Sequence, residues 1–348
     1  MRVIERLVLF NKKYLLLFFF IFLIGKNFAQ VYPDQSVHQM LKTGINFIID
    51  QKYDEAEELF KQLDKTHNEI PFGKIYLAAV AITKSYDYAQ PYNDKLITNY
   101  LESAKLISER LLKQDEKDIW NNYFYALTEG YLAYYDALNK NWLSAFSTGL
   151  SSVSAYEDCL ELDKDFYEAL VAIGSYKYWK SSKTEFLNWL PFIDDEKALG
   201  IKYLQKAIKH SGYNSHLAIH SLAWIYIEQE DYKSAIKLAE SALKEYPDSR
   251  IYNWVLARSY EDIDVLKSIS LYRKILESYP KDLRSNKVNE VRLKHLIAQQ
   301  LVKINKRNEA LTLCDEILSI KDYTEFEQEK LENRLERVKT LRKELSVQ

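Results

Sequence analysis

Between positions 216 and 249 (HLAIHSLAWIYIEQEDYKSAIKLAESALKEYPDS) apolar side chains return every three or four residues. Ile219, Leu222, Ala223 and Tyr226 form one set, and Ala235, Ala239 and Ala242 a second. That spacing puts each set on one face of an α-helix. The polar run EQEDYK between them reads as a short helix–helix turn, and Tyr246-Pro247-Asp248 ends the second helix, because proline cannot continue one. The plan returns over 250–282 with Leu256, Ala257, Tyr260, Tyr272 and Pro280, and over 291–324 with Ala298, Leu301, Ala310 and Cys314. Near the N-terminus it returns over 36–71 with Gly44, Phe47, Ala56 and Phe60. Less regular units fill 72–118, 119–165 and 166–212. The segment 325–348 carries one apolar stripe (Leu331, Leu335, Val338, Leu341, Leu345) among charged faces, the pattern of a helix that covers the open end of a stack.

Counted from His216 as first position, Leu222, Ala223, Tyr226, Ala235, Ala242 and Pro247 give the segment the pattern of the tetratricopeptide repeat, which it resembles. Ile219 and Ala239 depart from that pattern, standing where it has tryptophan and a large aromatic. The block 166–208 is similar to stretches of uncharacterised exported bacterial tetratricopeptide proteins. The resemblance extends over 36–324 and implies an all-α fold. The expected architecture is an α-solenoid of about seven antiparallel helix pairs over 30–324, with 325–348 as its C-terminal cap. Small residues let paired helices approach, and large ones fill the neighbouring groove.

Taking Asn68, Glu116, Lys164, Gly212, Pro247 and Pro280 as equivalent, the repeat lengths are 48, 48, 48, 35 and 33 residues. The extra length of the three long units is assigned to inserted turns at 85–97, 139–148 and 181–198. These hold Tyr86, Tyr88 and Tyr92, then Trp142 and Phe146, then Phe186, Trp189 and Phe192. Turns of one kind emerge on one edge of a repeat stack, so the aromatics form either a composite binding edge or a cover over neighbouring helix ends.

The resemblance also implies a concave face lined by the first helix of each pair. Mapped onto this chain it holds Leu217, His220, Trp224 and Ile227; Ile251, Trp254, Arg258 and Glu261; Arg292, His295, Gln299 and Val302; and Tyr178 from the preceding unit. Tryptophan and arginine are the residue types that anchor partners, although a tryptophan at such positions also suits the core. The partner-binding candidates are therefore Tyr178, His220, Trp224, Trp254, Arg258, Glu261, Arg292 and His295, and the partner is a protein or peptide.

Composition narrows the function. Gly (8) and Pro (6) together are 14 of 348 residues, about a third of average usage, which disfavours collagen-like, turn-rich and low-complexity chains. The 27 Tyr and 6 Trp must be placed on helices. Positions 1–29 read as a signal peptide. Arg2, Arg6, Lys12 and Lys13 precede the apolar run LLLFFFIFLIG (15–25), and Ala29 offers a cleavage point. Eleven helical residues span about 16 Å, half of a hydrocarbon core, which disfavours a retained anchor. With no cysteine near the junction, no lipid attachment is expected. Cleavage removes five bases and one acid and leaves a net charge of −6. No basic cluster for nucleic acid remains. The expectation is an exported chain, periplasmic or outer-envelope associated in a Gram-negative-type cell, with no transmembrane span once mature.

Chemistry is weakly signalled. His216 and His220 share a helix face at zinc-ligand spacing, but no third ligand accompanies them. Asp194-Asp195-Glu196 precede an apolar helix, whose N-terminus carboxylates complement. Cys159 and Cys314 stand singly in apolar stretches, as buried thiols do, and the eight glycines form no phosphate loop. The reading is a non-catalytic scaffold without cofactor or metal. The alternatives are an envelope assembly component docking through the aromatic edge, and a metal-dependent hydrolase using the groove histidines.

Overall fold

The computed structural model describes residues 30–183, 194–279 and 287–347. Among them fifteen α-helices follow one another, with one 3-10 turn at Tyr167–Ala169 and no strand. Seven antiparallel pairs form: α1 (Gln35–Ile49) with α2 (Tyr53–Thr66), α3 (Phe72–Asp87) with α4 (Asp94–Gln114), α5 (Ile119–Leu138) with α6 (Trp142–Leu162), α7 (Leu170–Lys183) with α8 (Lys197–His210), α9 (Ser215–Glu228) with α10 (Tyr232–Glu245), α11 (Arg250–Tyr260) with α12 (Val265–Ser278), and α13 (Lys287–Lys303) with α14 (Arg307–Ser319). The last helix, α15 (Glu325–Ser346), lies on α13 and α14 and buries Leu331, Val338 and Leu345. Thr324 and Glu327 start it with a reciprocal capping box. The predicted α-solenoid with its C-terminal cap is the observed fold.

Small residues set the spacing of the pairs. Ala223, Ala235 and Ala239 are wholly buried where α9 and α10 meet. Gly44 lies under the Phe60 ring, where an added Cβ would come within 2.3 Å of it. Between α7 and α8 the approach is backbone to backbone: a Cβ on Gly200 would stand 2.5 Å from the Gly174 carbonyl oxygen. Gly200→Ala is expected to lower stability by about 1–3 kcal/mol through overpacking, read as a fall in the urea midpoint at unchanged slope.

Five of the within-pair turns close alike. Gln51, Ala89, Lys140, Glu230 and Asn305 take φ of 57°, 49°, 63°, 59° and 60°. The next amide donates to the carbonyl five residues back in each: Lys52 to Phe47, Gln90 to Ser85, Asn141 to Asp136, Asp231 to Tyr226 and Lys306 to Leu301, at 2.8–2.9 Å. This is the Schellman closure of a helix end. It corrects the expected insertion at 139–148. The turn is only 139–141, Trp142 opens α6, and the extra length lies in the helices, 20 and 21 residues in α5 and α6 against 14 each in α9 and α10. Once the left-handed turn is closed at Lys140, adding turns of helix preserves backbone hydrogen bonding, whereas a longer loop would not. At 85–97 only 88–93 lie outside helix. Most of 181–198, with Phe186, Trp189 and Phe192, lies outside the described residues.

The tyrosine surplus is largely core. Tyr32, Phe72, Trp120, Tyr123, Phe124 and Phe166 form one cluster of largely edge-to-face rings, with neighbouring centroids 4.8–6.4 Å apart, where the first four pairs converge. From there the stack curls until its beginning meets its later pairs. The Tyr32 amide donates to the Tyr213 hydroxyl at 3.0 Å, which also meets His38 Nδ1 at 2.8 Å. The Tyr246 hydroxyl donates to Asn46 Oδ1 at 2.8 Å, and the Arg250 amide to Gln51 Oε1 at 3.1 Å. At the centre of this seam Asp87 of α3 pairs with Arg250 of α11, side chains 13% and 7% exposed. Arg250 Nε lies 3.0 and 3.1 Å from the two carboxylate oxygens. Its guanidinium lies over the Tyr279 and Tyr88 rings at 4.7 and 5.5 Å, and Nη1 donates to the Ser278 carbonyl at 3.2 Å.

Candidate functional site: an aromatic chamber inside the superhelix

Closure of the seam turns the concave face into a chamber of about 570 Å³. One wall comes from the inner helices of the later pairs: His216, Leu217, His220 and Trp224 on α9, Ile251, Tyr252, Trp254 and Arg258 on α11, and Asn289 and Arg292 on α13. The other comes from the early pairs: Ile49, Tyr53, Thr83, Tyr86, Asp87 and, from α5, Tyr134. Tyr86 and Tyr134 are 59% and 47% exposed, so two tyrosine rings line a space that the protein itself leaves open. Trp224 and Trp254 are half-buried; each packs into the core with one part of the ring and borders the chamber with the rest.

Hydrogen bonds fix the aromatic wall. The Trp224 indole donates to His220 Nε2 at 2.9 Å, which occupies the lone pair a metal would need. Burial pushes the His216 and His220 imidazoles down to about 4, so both are neutral at pH 7. Among the described residues no group of three His, Cys, Asp or Glu side chains is placed to hold a metal ion. Arg258 is held by Glu261 through two bonds of 2.8 and 2.9 Å, and Glu261 also accepts from the Tyr272 hydroxyl at 2.5 Å. Arg292 makes no hydrogen bond or ion pair among the described residues, and it faces the chamber as a free cation.

Of the predicted groove residues, His220, Trp224, Trp254, Arg258 and Arg292 come together in the chamber. Three do not. Tyr178 is buried, its hydroxyl donating to Glu228, and packs between α7, α8 and α9. Glu261 falls just past the end of α11, whose eleven residues are too few to carry the twelfth repeat position on the helix. His295 is 1% exposed and turned to Arg334 of α15, because the cap covers that face of α13. The opposite wall was missed. Tyr86, expected at the aromatic edge, and Tyr134 stand near the C-terminal ends of the first helices of their pairs, beyond the four groove positions that the repeat register supplies.

The expected aromatic edge divides. Tyr88 is 8% exposed and belongs to the seam with Arg250, and Tyr92 packs on Tyr135 at 5.9 Å; both follow the end of α3, which the superhelix turns inward. Trp142 and Phe146 remain 66% and 68% exposed on the overhanging start of α6, beside Leu143 at 90%. The three aromatics of the third insertion lie outside the described residues. Cys159 and Cys314 are free and buried, and burial pushes their thiols up to about 12 and 11. Two of the acidic trio take structural parts: Asp195 accepts the Lys197 amide at 3.0 Å, and Glu196 pairs with Lys177. No described helix is long and apolar enough to cross a membrane.

A family model described as a tetratricopeptide repeat matches residues 218–249. No curated protein matches the sequence. Similar solved structures include the C-terminal part of a repeat-containing protein of this type from Cytophaga hutchinsonii, at 16% identity and TM-score 0.40, covering 84% of this chain and 99% of that one. They include PilW, a type IV pilus biogenesis factor, at 16% and 0.45, covering 74% and 96%. A tetratricopeptide repeat protein of Parabacteroides merdae matches at 15% and 0.38, covering 90% and 100%. Residues 218–249 thus match one tetratricopeptide repeat, and the helix pairs on either side of that segment follow the same antiparallel plan.

Proposed function

We propose that the protein is an exported, non-catalytic scaffold that captures a short polypeptide segment inside the chamber. The observation that carries this is the pairing of two half-buried tryptophans on successive inner helices, Trp224 and Trp254, with two exposed tyrosines, Tyr86 and Tyr134, across a space of about 570 Å³. That volume lies within the range of roughly 300–1,000 Å³ in which pockets enclose small ligands. It suits a few residues of chain better than a whole helix. Aromatic rings supply large contact area at low entropic cost, and Arg258, Arg292 and Asn289 supply polar contacts. Export rests on the charge, apolar run and small residue of positions 1–29.

The test is selection of heptapeptides displayed on phage against the chain from residue 30 onward, followed by titration of the selected peptides. Trp254→Ala is expected to weaken binding at least tenfold while circular dichroism keeps its helical signature. Full binding by the variant would move the site elsewhere. A second reading, docking to an envelope assembly, is favoured by one observation, the exposed Trp142, Leu143 and Phe146. It requires that Trp142→Ala and Phe146→Ala release the protein from isolated envelopes; retention by both variants contradicts it.

A further inference from the structure

Four arginines converge where the chamber meets the capping helix. Arg258 and Arg292 line the chamber. His295 follows Arg292 by one helical turn on α13, and Arg334 of α15 stands with its Nη1 3.3 Å from His295 Nδ1. Arg337 follows Arg334 by a further turn. Among the described residues the carboxylates that answer this group act on Arg258: Glu261 pairs with it, and Asp262 lies within reach of its charge. Arg292, Arg334 and Arg337 have no acidic partner among the described residues. Burial, and then the like charges of Arg292, Arg337 and Arg258, pull the Arg334 guanidinium down to about 10. His295, buried beside Arg334 and Arg337, is held neutral at about 4. An arrangement in which like charges are gathered and partly desolvated works against folding, and a bound anion would answer the charge that no described carboxylate meets on Arg292 and Arg334.

We propose that this end of the chamber is an oxyanion site that takes a phosphate monoester carried on the ligand the chamber accepts, with the ligand's apolar body against Trp254. The inference rests on the chamber being the binding site. A single carboxylate would leave part of the charge of Arg292 and Arg334 unanswered, with the exposed Arg337 a turn further out. A phosphoryl group brings a charge of about −1.5 to −2 and three acceptor oxygens, and the planar guanidinium matches it through paired hydrogen bonds. The chamber supplies what inorganic phosphate lacks a use for, an aromatic wall next to the cations. The two sources of such an ester, a phosphorylated side chain and a small molecule, share this chemistry.

The experiment is calorimetric titration of the chain from residue 30 onward with phenyl phosphate, benzoate, inorganic phosphate and a phosphotyrosyl pentapeptide of glycine. Phenyl phosphate is expected to bind at least tenfold tighter than benzoate or inorganic phosphate, and Arg292→Gln or Arg334→Gln to weaken it at least tenfold. A gain of tenfold for the pentapeptide over phenyl phosphate assigns the ester to a polypeptide, and equal affinity assigns it to a small molecule; the site stands in both cases. Without ligand, Arg334→Gln is expected to raise the melting temperature by about 1–2 °C, because it relieves like-charge crowding. A fall in melting temperature, undiminished phenyl phosphate binding by both variants, inorganic phosphate binding as tightly as the ester, or no binding of the ester at 10 mM would overturn the proposal. If selected heptapeptides still depend on Trp254 while Arg292 is dispensable for every probe, only the anion site fails. If Trp254 is dispensable, the chamber reading fails with it.

Discussion

Replacing Asp87 by alanine is expected to cost about 3–5 kcal/mol, the largest effect of any single substitution considered for this chain. Asp87 and Arg250 lie 163 residues apart, and their side chains are almost wholly removed from water. Burial of Arg250 works against its charge, and the Asp87 carboxylate outweighs it, so the guanidinium is held more firmly charged than usual. Removing the carboxylate leaves that cation among Tyr53, Tyr88 and Tyr279 with neutral acceptors such as the Ser278 carbonyl and no anion to balance it. The Tyr53 hydroxyl, which donates to Asp87 Oδ2 at 3.0 Å, loses its acceptor as well. The substitution acts on shape as much as on stability. The seam is built from side chains such as Gln51, Asn46 and Asn289, which donates to the Asp87 carbonyl at 2.8 Å, rather than from packed helices. Chemical denaturation measures the first effect, and an increase in the radius of gyration by small-angle scattering measures the second. The double variant Asp87→Leu with Arg250→Met is expected to recover much of the loss, because no unpaired buried charge remains. A cost below 1 kcal/mol for Asp87→Ala would mean that the seam does not hold the superhelix closed.

The second large effect is acid sensitivity above the carboxylate range. His216, His220 and His295 are each pushed down to about 4 by burial, and His295 further by Arg334 and Arg337. An unfolded histidine takes up its proton near 6.5, so below that pH the unfolded chain binds more protons than the folded one. The stability these groups support is therefore fully present above pH 6.5 and is lost progressively as pH falls from 6.5 towards 4. By pH 5 the loss is roughly 1–2 kcal/mol for each histidine. Glu228, Asp262 and Glu327 have folded values lowered from the usual carboxylate range, and their contribution is lost only below about pH 4.5. The two windows are thus separable. Melting temperatures at pH 7.5, 6.0 and 5.0 should fall for the native sequence and flatten in a triple variant with His216→Asn, His220→Gln and His295→Asn. An unchanged slope in the triple variant would place the acid sensitivity elsewhere.

The helix pairs were legible because their signal is local. Leu222, Ala223, Tyr226 and Ala235 carry a period of three to four residues and a size rule that follows from two helices touching, and all but Tyr226 are wholly or almost wholly buried. The cap was legible for the same reason: Leu331, Val338 and Leu345 form its one buried stripe. Where the reading failed, the deciding interaction was distant or lay in the backbone. The Asn139-Lys140-Asn141 turn looks like the start of a loop, yet the left-handed Lys140 closes it within three residues, and Trp142 to Thr148 continue as helix. Half of the chamber was legible from repeat register, since Trp224, Trp254 and Arg292 sit on inner helices of regular pairs. Tyr86 and Tyr134 reach the same space only through the accumulated rotation of the stack, which no short window of sequence carries. Arg250 reads as an ordinary first-turn residue of α11 until Asp87 is brought to it from the second pair.

A crystal structure of the chain from residue 30 onward with one of the phage-selected heptapeptides tests the central claim most directly. The peptide is expected between Trp224 and Trp254 on one side and Tyr86 and Tyr134 on the other, with the Asp87–Arg250 pair closed behind it. A peptide seated on the convex surface or along the Trp142–Phe146 overhang, with the chamber empty, would contradict it.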